Sequence, residues 1–76
     1  MKMKEWVKEC HRLGNQCIQL EGTGNSGLFQ FSSNYMVGTT QVSTPQRYYI
    51  WINDVCVRVT SNYAEAYDVW NERTAA

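Results

Sequence analysis

Charge is scarce in this sequence and evenly balanced, with seven Lys and Arg against seven Asp and Glu in 76 residues. A general nucleic-acid binder needs a surplus of cations to displace counterions from phosphates, so the balance argues against that class. Histidine occurs once, at His11, and there is no C-x-x-C pair. The three cysteines, Cys10, Cys17 and Cys56, cannot all pair within one chain, whereas a small secreted domain normally carries an even set. A reducing cytoplasm is the expected setting, with Cys10 and Cys17 as small buried hydrophobes. Spacing gives no support to a zinc site built from Cys10, His11, Cys17 and Cys56, because neighbours on a helix diverge around its axis. Neither a metal nor a cofactor is expected. No apolar run approaches the roughly 18 residues of a membrane span. Met1-Lys2-Met3-Lys4-Glu5 leads into an amphipathic segment and not into an apolar signal core. The expectation is a soluble, unexported chain without membrane contact.

The length allows one small domain, residues 1–76, with a thin core that dimerisation or a partner would help. Residues 3–13 read as a helix: Met3, Trp6, Val7, Cys10 and Leu13 make one apolar stripe, and Gly14 stands where a left-handed cap would end it. After Gly14 the period changes. Ile18 and Leu20 alternate with polar neighbours, Gly22 to Gly27 is a glycine-rich turn, and Phe29 and Phe31 resume the alternation, which predicts a hairpin over 16–32. The stretch 32–46 is rich in Ser, Thr and Asn and holds the lone proline, Pro45; a short strand fits either 35–37 or 40–43.

Tyr48 to Thr60 carries the plainest pattern. Two β-branched and aromatic runs flank Asn53-Asp54, residue types that tolerate the positive φ of a type I′ turn. A two-residue loop there pairs Ile52 with Val55, Trp51 with Cys56, Ile50 with Val57, Tyr49 with Arg58 and Tyr48 with Val59. One face is then Tyr48, Ile50, Ile52, Val55, Val57 and Val59, and the other is Tyr49, Trp51, Cys56 and Arg58. Asn62 caps a last helix with Glu65 reaching back to it, and Tyr63, Ala66, Tyr67 and Trp70 form its apolar stripe. The expected class is α+β: a small antiparallel sheet of three to five strands flanked by an N-terminal and a C-terminal helix.

Candidate chemistry is thin. Gly22-Thr23-Gly24-Asn25-Ser26-Gly27 spells G-x-G-x-x-G after a strand, but a strand follows it where a dinucleotide site needs a helix, and no acid lies about 20 residues on. Gly22, Gly24 and Gly27 could still cradle an anion through their N–H groups, which makes a small-ligand or nucleotide binder the alternative reading. Nucleophilic catalysis needs an oriented base beside a thiol or hydroxyl, and His11 lies on the flank of a charged helix, so no enzyme is expected. The face of Tyr49, Trp51, Cys56 and Arg58 has two readings. A helix of the chain covers it, or both helices pack on the aliphatic face and leave it open. The open reading is adopted, because Trp, Tyr and Arg are the side chains most enriched at binding hot spots. Exposed rings also suit single-stranded nucleic acid, but Arg47 and Arg58 are the only cations in the strands, which makes that a further, weaker alternative.

The final helix, Tyr63 to Ala75, resembles that of phage-borne restriction-alleviation (Lar-type) small proteins, through Trp70-Asn71-Glu72-Arg73 and the preceding Glu65-Ala66. The match covers about a fifth of the chain, and the zinc-ribbon cysteines of that family have no counterpart here. The resemblance implies a small phage or mobile-element accessory protein of the kind that inhibits a host defence system. Together these readings give a cytoplasmic protein–protein interaction module, homodimeric, binding a host or phage protein through Tyr49, Trp51 and Arg58 with Cys56 beside them.

Overall fold

The computed structural model describes residues 1–75. Helix α1 spans Met3–Arg12 and turns Met3, Trp6, Val7 and Cys10 inward, as the stripe predicts. Leu13, the expected last member of that stripe, sits past the helix end and is exposed, and Gly14 follows with the left-handed backbone of a cap, φ 77°. Six strands come next: β1 (Gln16–Glu21), β2 (Gly27–Ser32), β3 (Asn34–Val37), β4 (Thr40–Ser43), β5 (Arg47–Ile52) and β6 (Val55–Thr60). Helix α2, Tyr63–Thr74, closes the described chain. The fold is α+β.

Four strands form one antiparallel sheet in the order β1-β2-β5-β6, while β3 and β4 pair separately. Each of the two positions offered as alternatives for a short strand in 32–46 holds one, and the two strands pair with each other. Strands β2, β3, β4 and β5 can equally be described as one long hairpin. Ser33 bridges to Thr44 through a 2.8 Å backbone bond and through the Thr44 hydroxyl, so β3 and β4 carry the β2–β5 pair onward as a two-stranded arm. Gly38, φ 60°, leads the two-residue loop at its tip, the position that a type II′ turn reserves for glycine. The molecule extends 49 Å along its longest axis, against a six-residue strand of about 20 Å.

The turn at Asn53 and Asp54 lies where the sequence places it, with φ of 49° and 65°. Ile52 faces Val55 and Trp51 faces Cys56 as expected, but the ladder then slips. Ile50 faces Arg58, Tyr49 faces Val59 and Tyr48 faces Thr60. One residue of β6, Val57, is accommodated in a bulge, so Val57 and Arg58 do not alternate as a regular strand requires. This corrects the expected pairing and moves Arg58 to the opposite face. A second irregularity breaks β1 between Gln19 and Glu21, so both outer strands are interrupted.

The two helices lie on opposite faces of the sheet, not together on the aliphatic one. On one face α2 packs Ala66 and Trp70 on Leu28, Tyr48 and Ile50, with Leu20, Ile52 and Val57 around them. On the other α1 packs Met3, Trp6 and Val7 on Phe29, Trp51 and Tyr49. Asn62 caps α2 as expected, its Oδ1 accepting the Glu65 N–H at 2.9 Å. Glu65 does not reach back to the cap. Its carboxylate accepts instead from the Thr60 hydroxyl at 2.8 Å and from the Arg58 guanidinium.

Candidate functional site

The four residues expected to form one exposed patch are divided by the bulge and by α1. Trp51 is 5% exposed and belongs to the core under α1. Its neighbour there is Trp6, whose indole also lies 4.7 Å from the Tyr49 ring and 5.3 Å, edge-on, from Phe29. One helical tryptophan thus roofs the whole aromatic row, and the Trp51 Nε1–H is left without an acceptor among the described residues. Arg58 faces α2 and pairs with Glu65. The Thr60 hydroxyl first, and the Arg58 cation second, hold the Glu65 carboxyl below its ordinary range. Cys56 stays exposed, with Val59 two pairs along the same edge, and the Arg58 side chain is exposed beside Glu65 on the other face. Of the two readings of this face, coverage by the chain's own helix is the one that Trp51 meets.

The thiols and the histidine do not assemble a reactive group. The Cys10 and Cys17 thiols are neighbours between α1 and β1, and burial pushes the Cys17 thiol up to about 12. A thiol held that far from ionisation is a poor nucleophile at neutral pH. The His11 Nε2 lies 3.3 Å from the Cys17 carbonyl oxygen, a backbone contact and not one to a thiol. Among the described residues no three His, Cys, Asp or Glu side chains come close enough to hold a metal ion.

The loop containing Gly22, Gly24 and Gly27 is a pinned connection between β1 and β2. A Cβ at Gly22 (φ 102°) would stand 2.4 Å from the Ser26 carbonyl oxygen and 2.9 Å from the Trp70 ring, so the glycine lets the loop fold back under α2. The Asp54 N–H donates to the Asn25 carbonyl at 2.9 Å and the Asn53 N–H to the Ser26 hydroxyl at 3.0 Å, which ties this loop to the β5–β6 turn. Gln19 Nε2 holds the carbonyls of Glu21 and Gly22.

The arm leaves three consecutive apolar residues uncovered, whereas the exposed apolar residues of the body, such as Leu13, Ile18 and Val55, stand singly. Tyr35, Met36 and Val37 are 49%, 61% and 60% exposed, and no arm residue joins either core. Tyr35 faces Val42 across the ribbon, and Met36 points to the other side opposite Gln41. Both outer edges of the ribbon are unpaired. The 25 residues from Gly22 to Gln46 include no Asp, Glu, Lys or Arg, so the arm carries none of the charges that usually guard a free strand edge. Patterning alone missed this surface; the signal that marks it is the length of that uncharged stretch. Compared with protein-family models, with curated proteins and with solved structures, the chain gives no match.

Proposed function

We propose that this chain is a non-catalytic protein-binding module whose contact element is the β3–β4 arm. The observation that carries the reading is the run of Tyr35, Met36 and Val37, exposed in sequence on an uncharged two-stranded ribbon with open edges. An isolated hairpin of this kind is marginal in water, and a partner that pairs with an edge or covers a face supplies what it lacks. The raised thiols support the non-catalytic half of the reading. The missing cations on the arm favour a protein over single-stranded nucleic acid, whose phosphates need them.

A second copy is the partner that the arm itself favours. Two neutral, self-complementary ribbons meet about a two-fold axis without like-charge repulsion. A host or phage protein, implied by the likeness of the last helix to restriction-alleviation proteins, would use the same surface. Light scattering of the purified chain should show a mass twice that of the monomer at high micromolar concentration. Tyr35→Ser with Met36→Lys should return it to monomer with the circular dichroism of the body unchanged. A chain that stays monomeric up to millimolar concentration overturns self-association. Arm variants that retain every partner of the wild type overturn the arm as the contact.

A further inference from the structure

A hollow of about 500 Å³ lies between α1 and the loop that follows β1, within the size range of small-ligand pockets. Its apolar floor comes from Met3, Val7 and Phe29, and its walls from Lys4 and Lys8 on one side and Gly22 to Gly24 on the other. Lys4 and Lys8 stand one helical turn apart on the same flank of α1. Neither ammonium has a carboxylate partner among the described residues, whose ion pairs are Arg12 with Glu9 and Arg58 with Glu65.

No acidic side chain lines the hollow. The nearby carboxylates are occupied elsewhere: Glu5 accepts the Lys2 N–H, Asp54 accepts the Met3 N–H, and Glu21 is turned to Tyr67 on the far side of the sheet. Across from the lysines, the N–H groups of Thr23 and Gly24 make no turn, cap or loop hydrogen bond to the backbone among the described residues. Space is open where a Cβ at Gly24 would stand. Both walls are held in place beforehand, because Asp54 links the start of α1 to the loop through its side chain on Met3 and its N–H on Asn25.

We propose that this hollow binds a small organic phosphate, with the phosphate between Lys4, Lys8 and the Gly22–Gly24 backbone and the apolar body over Val7 and Phe29. Two cations one turn apart together with the N–H donors of the loop match a dianion better than a single carboxylate. The apolar floor distinguishes a phosphate ester from the bare ion. This site lies away from the arm and does not depend on it.

The test is an amide-resonance titration with phenyl phosphate, with inorganic phosphate and phenol as the charge-only and ring-only probes. Saturable shifts at Lys4 to Lys8 and Gly22 to Gly24 are expected in the millimolar range, as befits so small a ligand. Each partial probe should bind about tenfold more weakly or worse. Lys4→Gln with Lys8→Gln, both exposed, should weaken phenyl phosphate at least about fivefold and leave the remaining resonances in place. Inorganic phosphate binding as tightly as phenyl phosphate would mean an adventitious ion only and would overturn the proposal. So would shifts that fall elsewhere, no saturable shift, or an unchanged affinity in the double variant.

Discussion

The two halves of the central hairpin share one ribbon and have opposite fates. In β2 and β5 neighbouring residues are buried to opposite sides, because a helix lies on each side: Leu28 and Ile50 vanish under α2, and Phe29 and Trp51 under α1. A few residues further along, β3 and β4 continue the same pairing with side chains as apolar as Tyr35, Met36 and Val37, and nothing covers them. Local β-propensity is similar in the two halves, so propensity does not decide burial. The reach of two helices of ten and twelve residues decides it, since each spans about the length of a six-residue strand and stops there.

The largest test of this contrast is Trp51→Ala. With a buried indole removed from beneath Trp6, the loss should be about 3–5 kcal/mol, much of what a domain of this length holds. Chemical denaturation should show a variant largely unfolded at 25 °C. A variant that keeps its midpoint would return Trp51 to the surface.

Alkaline pH gives a smaller effect confined to the body. The Cys17 thiol is raised from 9.0 to about 12, by burial first and the Cys10 thiol beside it second. Below pH 9 the thiol is protonated both folded and unfolded, and its contribution is fully present. As pH rises from 9 towards 12 the unfolded chain releases the proton and the folded chain holds it, so stability is lost. The denaturation midpoint measured under reducing conditions should fall across that window, and Cys17→Ala should flatten the fall. A wild-type midpoint that stays level from pH 8 to 11 would contradict the burial.

The smallest effect should come from the arm. Replacing Asn34–Ser43 by Asn-Gly closes the hairpin just beyond the Ser33–Thr44 bridge, and should move the midpoint by less than about 1 kcal/mol while abolishing self-association. A loss of several kcal/mol would show that the arm supports the body, and the contrast would fail.

Much of this architecture is legible in the residues. The spacing of Met3, Trp6, Val7 and Cys10 marks the first helix, and Asn53-Asp54 marks the hairpin turn to the residue. Two things are not legible. Val57-Arg58-Val59 alternates as an unbroken strand would, so a bulge leaves no trace in the pattern; Arg58 meets Glu65, on a helix that follows in sequence, only after the ladder slips. The side taken by each helix is hidden for another reason. Both rows of the β5–β6 ribbon are apolar enough to receive a helix, and hot-spot composition made the aromatic row resemble an open surface. The better clue was Trp6, an aromatic on the stripe of α1 that needs a flat row of rings to lie against. In the arm, the uncharged stretch was plain to read, but exposure depends on how far the helices extend, and strand spacing does not encode that.

The paired interruptions at the two margins of the sheet bear on how such a molecule avoids polymerising. A margin whose repeat is broken at Leu20 or at Val57 offers a poor template for the next chain. With helices over both faces, stacking sheet upon sheet is blocked as well. Fibre growth through the body is therefore disfavoured at both margins and both faces, and the tendency to assemble indefinitely is greatest in the fourteen residues from Ser33 to Gln46, where closing a two-fold pair would end it.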